Sequence, residues 1–241
     1  MTNSINAKQK DPQQDDKPRN SRRSFLKFGG ASIATAGVLL SGCEEFYDYL
    51  PKKPKDDEAE EVSLGSGDIG ILNYAYALEQ LEAAFYTEVL SANCDFSDVE
   101  QQILMDLQKH EVVHREFFKA VLAENGIPKL KFDFSAIDFS SRRSILGAAK
   151  TFEDLGVAAY NGAGKLIENP DYLLIAGKIV SVEARHAAAI RSVFDTDPTS
   201  FAGDDVVDEN GLDRALSTNT VLEAASAYII TKIDASQLPT S

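Results

Sequence analysis

The chain has 241 residues, enough for one large domain or two small ones, and its content of 44% hydrophobic and 26% charged residues is typical of soluble globular proteins. Its net charge of −14 argues against a nucleic-acid partner, because contacts with a phosphate backbone depend on Lys and Arg. An excess of acidic groups is instead compatible with the attraction of metal cations.

The first 42 residues are predicted to be an export signal rather than part of the fold. Arg22 and Arg23 precede a short apolar stretch at 28–40, an order that is typical of twin-arginine signals. The stretch is shorter than the ~20 residues needed to span a bilayer. The sequence from Leu40 to Cys43 resembles a lipoprotein signal, in which the cysteine is lipidated and becomes the N-terminus. An uncleaved anchor or a cytosolic tail is the alternative interpretation.

We therefore predict a protein that is exported by the twin-arginine machinery and held by a lipid on Cys43 at the periplasmic or extracytoplasmic face of a membrane, or that is soluble in the periplasm. Residues 43–66 are acidic and lack a sustained apolar period, which predicts a flexible tether. A lipid on Cys43 would leave Cys94 as a free thiol.

Apolar residues recur at steps of three and four along four long segments, which predicts four amphipathic helices. These helices begin near positions 68, 97, 141 and 170 and end near 91, 125, 168 and 194. Asp68 is the candidate N-cap of the first helix, and Ser97 with Glu100 predicts a capping box at the second. A shorter fifth helix is predicted over 218–232.

The segment 127–140, between the second and third helices, alternates apolar and polar residues. We predict a crossing connection that packs aromatic side chains on the helices. A short strand is the alternative, although no partner strand is apparent in the sequence. The predicted fold class is therefore all-α: an antiparallel four-helix bundle over 67–233, with one long crossover and an extra C-terminal helix.

Two of the three histidines follow a glutamate at a spacing of three residues: Glu111 precedes His114, and Glu183 precedes His186. This spacing places each pair on one helix face, one turn apart, and both pairs fall on the apolar faces of their helices. For either pair alone, a surface ion pair between Glu and His is an equally good interpretation. His110 lies off the apolar face and is predicted to be exposed to solvent.

The first and third helices share the pattern Glu-x-Leu-x-x-Ala-x-Tyr, from Glu79 to Tyr86 and from Glu153 to Tyr160. The chain therefore contains one helical hairpin twice, each copy supplying a Glu and then a Glu-x-x-His pair. Glu82 corresponds to a glycine in the other copy, so Glu79 is the better ligand candidate. Glu82 is either an extra carboxylate at the site or a paired buried group. Tyr86 and Tyr160 are either core aromatics or hydrogen-bond donors to the ligands.

Four carboxylates and two imidazoles on the inner faces of four helices predict a dinuclear metal site with two Fe or two Mn ions. The carboxylates offset the charge of two divalent ions, and the imidazoles favour transition metals over Ca²⁺ or Mg²⁺. Without metal, the bundle interior would have to be hydrated, because an unpaired buried charge costs several kcal/mol. The six predicted ligands are Glu79, Glu111, His114, Glu153, Glu183 and His186.

This ligand pattern resembles the ferritin-like superfamily of dimetal four-helix bundles. The segments 78–86, 153–160 and 183–187 are similar to the ferritin-like proteins called desiccation-related. The resemblance covers about residues 67–233 and implies the same six ligands, but it does not imply a particular reaction.

Two functions follow as hypotheses. A dimetal centre in the cell envelope would carry out redox chemistry of the ferroxidase, peroxidase or catalase type on Fe(II), peroxide or oxygen. Alternatively, the protein is a non-catalytic metal-binding or structural lipoprotein with a role in stress protection. A third hypothesis, small-molecule binding in a metal-free bundle core, would require the six polar groups to be solvated.

Overall fold

The structure is a computed structural model that describes residues 61–195, 197 and 199–240. The predicted export signal, with Arg22 and Arg23, and the predicted lipidation site Cys43 lie outside the described residues. No helix within the described ranges combines the length and the hydropathy that crossing a bilayer requires.

Four long helices dominate the described part of the chain, which confirms the predicted all-α bundle. Helix α1 packs mainly along α2, and α3 along α4, so that the two hairpins of the sequence repeat lie side by side. The helices are α1 (Gly67–Ser91), α2 (Asp98–Leu122), α3 (Arg142–Gly164), α4 (Pro170–Phe194) and the short α5 (Thr218–Ala225), with 3₁₀ turns at Ala123–Asn125 and Ser200–Ala202. Two strands, β1 (Glu61–Ser63) and β2 (Lys232–Asp234), complete the fold.

Local sequence signals set the start of each helix. The capping box at α2 is confirmed, since Ser97 Oγ accepts from the backbone N–H of Glu100 and the Glu100 carboxylate accepts from the backbone N–H of Ser97. The predicted cap of α1 is wrong: the N-cap residue is Ser66, and Asp68 lies inside the first turn. The Asp68 carboxylate instead accepts hydrogen bonds of 2.8 Å from two backbone amides in the turn between α3 and α4.

The crossover between α2 and α3 packs aromatic rings on the bundle, as predicted. Phe134 packs against Phe85 of α1, with ring centroids 5.9 Å apart, and against Phe152 of α3. No strand forms in this connection, which the structure describes in full, but Phe132 makes an isolated antiparallel bridge with Ile229, a pairing that the sequence did not indicate. A partner so distant along the chain leaves no local pattern by which it could be recognised.

The domain extends beyond both predicted limits. Strand β1, inside the predicted tether, pairs in parallel with β2, and Val62 and Leu64 are buried against the bundle. At the other end, the fifth helix stops at Ala225 instead of continuing to 232, and Leu238 still packs in the core. Strands of three residues are too short to show a reliable period. Cys94 is a free, partly buried thiol, as predicted.

A buried arginine links the two helices of the second hairpin. Arg191 of α4 is only 2% exposed, and its guanidinium donates two hydrogen bonds of 2.8 Å to Asp154 of α3. The same group donates to the carboxylate of Asp205 and to the carbonyl of Ser200, in the segment after α4. Burial lowers the pKa of Arg191, but the two carboxylates outweigh this effect and raise it above its usual value.

Candidate metal centre

The six predicted ligands converge in the interior of the bundle, with each long helix contributing at least one. The four carboxylates are completely buried, and His186 is 3% exposed. The side chain of His114 is 12% exposed, so this ligand lies closest to solvent. The helical periodicity accounts for this arrangement, because all six positions lie on the inner faces of their helices.

The ligand atoms form two clusters, in each of which one atom from every member lies within 4.8 Å of the others. The first cluster, which we call cluster A, consists of Glu79, Glu111, His114 and Glu183. The second, cluster B, consists of Glu111, Glu153, Glu183 and His186. Glu111 and Glu183 therefore belong to both clusters.

In cluster A the carboxylate oxygens surround the ring nitrogen of His114. Its Nδ1 lies 2.9 Å from Glu183 Oε1, 3.4 Å from Glu79 Oε2 and 3.6 Å from Glu111 Oε2. These separations bring one oxygen of each carboxylate to a common point beside the imidazole.

Cluster B repeats this geometry around His186. Its Nδ1 lies 2.8 Å from Glu111 Oε1, 3.5 Å from Glu153 Oε2 and 3.6 Å from Glu183 Oε2. Each shared carboxylate thus directs one oxygen to cluster A and the other to cluster B. The internal repeat of the sequence appears here as two matching half-sites.

The clusters fit metal ions because their converging atoms are buried and unsatisfied. None of these atoms makes a hydrogen bond, although some lie within 3 Å of one another, so they are not aligned as donor and acceptor pairs. Buried polar atoms without partners are rare in proteins, and carboxylate oxygen with imidazole nitrogen is a donor set suited to Fe or Mn. The unsatisfied atoms are Glu79 Oε2, both oxygens of Glu111 and Glu183, Glu153 Oε2, and Nδ1 of His114 and His186.

Two tyrosines hold the outer oxygens of the unshared carboxylates. Tyr86 of α1 donates to Glu153 Oε1 on α3 at 2.5 Å, and Tyr160 of α3 donates to Glu79 Oε1 on α1. The pKa of each phenol is raised well above its usual value, mainly by burial and secondly by the adjacent carboxylate. Both tyrosines therefore remain protonated and act as donors. Each bond leaves the second oxygen of its glutamate free to face a cluster.

Without a metal, the centre must hold protons to limit the repulsion among its carboxylates. Burial raises the pKa of Glu153 to about 8, even though the nearby His186 lowers it. Burial acts against the charged form of His114, but the surrounding carboxylates outweigh this effect and raise its pKa to about 12. For Glu111, burial raises the pKa, whereas the two imidazolium rings lower it, with a net fall to about 2.

A family model described as a ferritin-like domain matches residues 67–196. The chain belongs to the ferritin-like family. No match was found among the curated proteins. The matched range begins with α1 and ends just after α4, so it contains every residue of both clusters, whereas α5 and β2 lie outside it. The family and the clustered carboxylates and histidines are together compatible with metal binding in this ferritin-like domain.

A fifth carboxylate lies beside the clusters but belongs to neither. Glu82 is buried, and burial followed by repulsion from Glu111 raises its pKa well above its usual value. A Cβ atom at Gly156 would lie 2.9 Å from Glu82 Oε1. The glycine that occupies the equivalent position in the second half of the repeat therefore makes room for this carboxylate.

His110 makes a contact that its position in the sequence does not predict. The residue is exposed, as predicted, but its Nδ1 lies 2.9 Å from His186 Nε2, and the two rings stack with centroids 5.1 Å apart. Nδ1 of His186 faces cluster B, so its other nitrogen is paired with a second histidine. In the repeat, His110 corresponds to Val182, whose side chain cannot pair with His114 in the same way. The two half-sites of this ferritin-like domain are therefore chemically different.

Proposed function

We propose that this ferritin-like domain binds two Fe or two Mn ions, one at each cluster, and uses them for redox chemistry on peroxide, oxygen or Fe(II). The observation that carries the proposal is the sharing of Glu111 and Glu183, each of which offers one oxygen to each cluster. Two shared carboxylates suit a pair of adjacent cations better than one ion, because they neutralise both charges at once.

The protein groups have separable roles in this proposal. Glu79 and Glu153 would each bind one ion. The hydrogen bond that each carboxylate accepts from a tyrosine fixes the orientation of that carboxylate. His110 would keep the proton of His186 on Nε2, so that Nδ1 is free to bind metal. A bound pair of Fe or Mn ions would supply two-electron redox chemistry and activate an oxygen species.

Catalysis is tested by measuring oxygen evolution from peroxide and oxidation of added Fe(II) by the metal-loaded protein. Glu183→Ala removes a shared ligand and should abolish both activities above background. Glu88→Ala, an exposed position on α1, is the matched control and should retain them. Equal rates for the wild-type protein and Glu183→Ala would refute the catalytic proposal.

The second candidate function is non-catalytic metal binding that stabilises an envelope protein, with a role in stress protection. The complete burial of all four carboxylates favours it, because structural metal sites are closed whereas catalytic sites keep an open position. Two bound ions per chain without turnover of peroxide, oxygen or Fe(II) would decide for this function.

We further propose that the protein is exported by the twin-arginine machinery and anchored to a membrane through a lipid on Cys43, and that it belongs to the desiccation-related branch of the family. Export and anchoring are supported by Arg22 and Arg23, the apolar stretch after them, and the Leu-Ser-Gly-Cys sequence. The branch is supported by the sequence similarity of the segments 78–86, 153–160 and 183–187. Replacing both arginines by lysine should block export, and Cys43→Ser should release the protein from the membrane fraction. Unchanged fractionation of either variant would contradict the corresponding signal.

A further inference from the structure

A cavity of about 270 Å³ lies in the half of the bundle where α1 and α4 begin and α2 and α3 end. All four long helices line it, with hydrocarbon over almost the whole wall, including the rings of Phe117 and Phe118 and the side chains of Ala163 and Ile175. It is distinct from the two metal clusters, whose ligands are absent from its lining residues. Well-packed interiors rarely leave a space of this size, so the cavity suits a ligand.

The charges around the cavity limit what can bind there. Among its lining residues, all of which lie in the described part of the chain, Asp171 is the one with a charged side chain. Asp171 and Val121 are exposed, so the lining includes residues at the protein surface. Because no Lys, Arg or His belongs to this set, an anion such as a fatty-acid carboxylate would enter without a counter-charge, at a high cost in desolvation. The occupant should therefore be neutral.

One polar group of the lining lacks a partner. Tyr74 is 1% exposed, lines the cavity, and has a hydroxyl that makes no hydrogen bond. Burial raises the pKa of this phenol, so the hydroxyl keeps its proton. A buried hydroxyl without a partner is costly, and a ligand oxygen within reach would remove that cost.

The cavity also adjoins the candidate metal centre. Tyr160 forms part of its wall and donates a hydrogen bond to Glu79 of cluster A. A molecule in the cavity would therefore contact the ring that holds one of the predicted ligands in position.

We propose that this cavity binds a small, neutral molecule that is mostly hydrocarbon and carries one oxygen, which pairs with the Tyr74 hydroxyl. A cavity of about 150 Å³ in another protein holds benzene, so by proportion 270 Å³ accommodates about 11 non-hydrogen atoms. An alkylphenol or a medium-chain ketone has this size and chemistry. The inference does not depend on the proposed redox function, because it requires neither metal nor turnover.

The test is calorimetric titration of the full chain with 4-butylphenol and with butylbenzene, which lacks the oxygen. Tyr74→Phe should weaken binding of 4-butylphenol about fivefold, the worth of one hydrogen bond, and leave butylbenzene unaffected. Ala163→Leu fills part of the cavity and should weaken both probes at least tenfold, whereas Ala120→Leu, at an exposed position of α2, should change neither.

Absence of saturable binding of either probe to the full chain would overturn the proposal. Binding that Ala163→Leu leaves intact would also overturn it, because the probes would then occupy another surface. Equal loss of both probes in Tyr74→Phe would refute the role of the hydroxyl. Circular dichroism spectra that match the wild type establish that each variant is folded, so a loss of binding is not mistaken for unfolding.

Discussion

Removing metal from the two clusters should destabilise the domain by about 5 kcal/mol. Four buried carboxylates and two imidazoles have no partners other than one another at their converging atoms, so bound cations would stabilise the folded state selectively. A ligand at one hundred times its dissociation constant contributes about 2.7 kcal/mol per site, and there are two clusters. For a domain of this size, each kcal/mol changes Tm by about 2–4 °C, so chelation should lower Tm by roughly 10–20 °C.

The effect of chelation should grow with pH. In the metal-free protein the pKa of Glu153 is raised to about 8 and that of His114 to about 12, so the folded state retains protons that the unfolded chain loses nearer pH 4.5 and 6.5. The stability of the metal-free protein therefore falls as pH rises from about 4.5 through 8 and beyond. Metal binding releases these protons, so metal affinity and the stabilisation by metal should both increase from pH 6 to pH 8.

The assay is thermal unfolding followed by circular dichroism, with Mn(II) and then with excess EDTA, at pH 6 and pH 8. Glu183→Gln should lose most of the response to EDTA, and Glu88→Ala should keep it. The metal-free form of Glu183→Gln should be at least as stable as the metal-free wild type, because the substitution removes one of several repelling buried charges. A Tm that EDTA leaves unchanged, or a metal effect that shrinks as pH rises, would refute the reasoning.

Three further variants test individual contacts. His110→Phe should weaken metal binding 10–100-fold at cluster B only, because His110 contacts His186 of that cluster. A biphasic calorimetric titration would resolve the two clusters, and equal weakening at both would contradict the inequivalence of the half-sites. Gly156→Ala should lower the free energy of unfolding in urea by about 1–3 kcal/mol, because the new Cβ would displace the Glu82 side chain. Gly177→Ala, at a position with open space around it, should instead raise the free energy of unfolding by up to ~1 kcal/mol. A change of the same sign in both variants would refute the steric argument. Arg191→Met should lower the free energy of unfolding by about 1–3 kcal/mol, since the partly buried Asp154 carboxylate loses two charge-assisted hydrogen bonds and keeps Lys150 as its cationic partner, and an unchanged free energy of unfolding would contradict this.

Much of the fold and the set of converging residues could be predicted because both depend on local spacing. A helical period and a Glu-x-x-His pair are readable along the chain, and the internal repeat separated Glu79 from its neighbour Glu82. The same spacing could not reveal that each tyrosine donates a hydrogen bond to the glutamate of the opposite hairpin. Tyr86 and Glu79 lie in the same helix, yet the Tyr86 hydroxyl donates its hydrogen bond to Glu153.

Features that depend on distant pairing escaped prediction. The bridge between Phe132 and Ile229 and the pairing of β1 with β2 join segments that are far apart in the chain, and neither leaves a periodic pattern. His110 was interpreted as a surface residue because it lies off the apolar face of α2. Its contact with His186 depends on how α2 and α4 are placed against each other, which the sequence does not encode locally.

Metal stoichiometry tests the central claim most directly. After loading with Mn(II) and removal of free metal, the wild-type protein should retain two ions per chain by elemental analysis, since the ligands form two clusters. Glu79→Ala, which damages cluster A alone, should retain one, and Glu111→Ala, which damages both, should retain almost none. One ion or none in the wild-type protein, or two ions in Glu111→Ala, would contradict a dinuclear centre built on shared carboxylates.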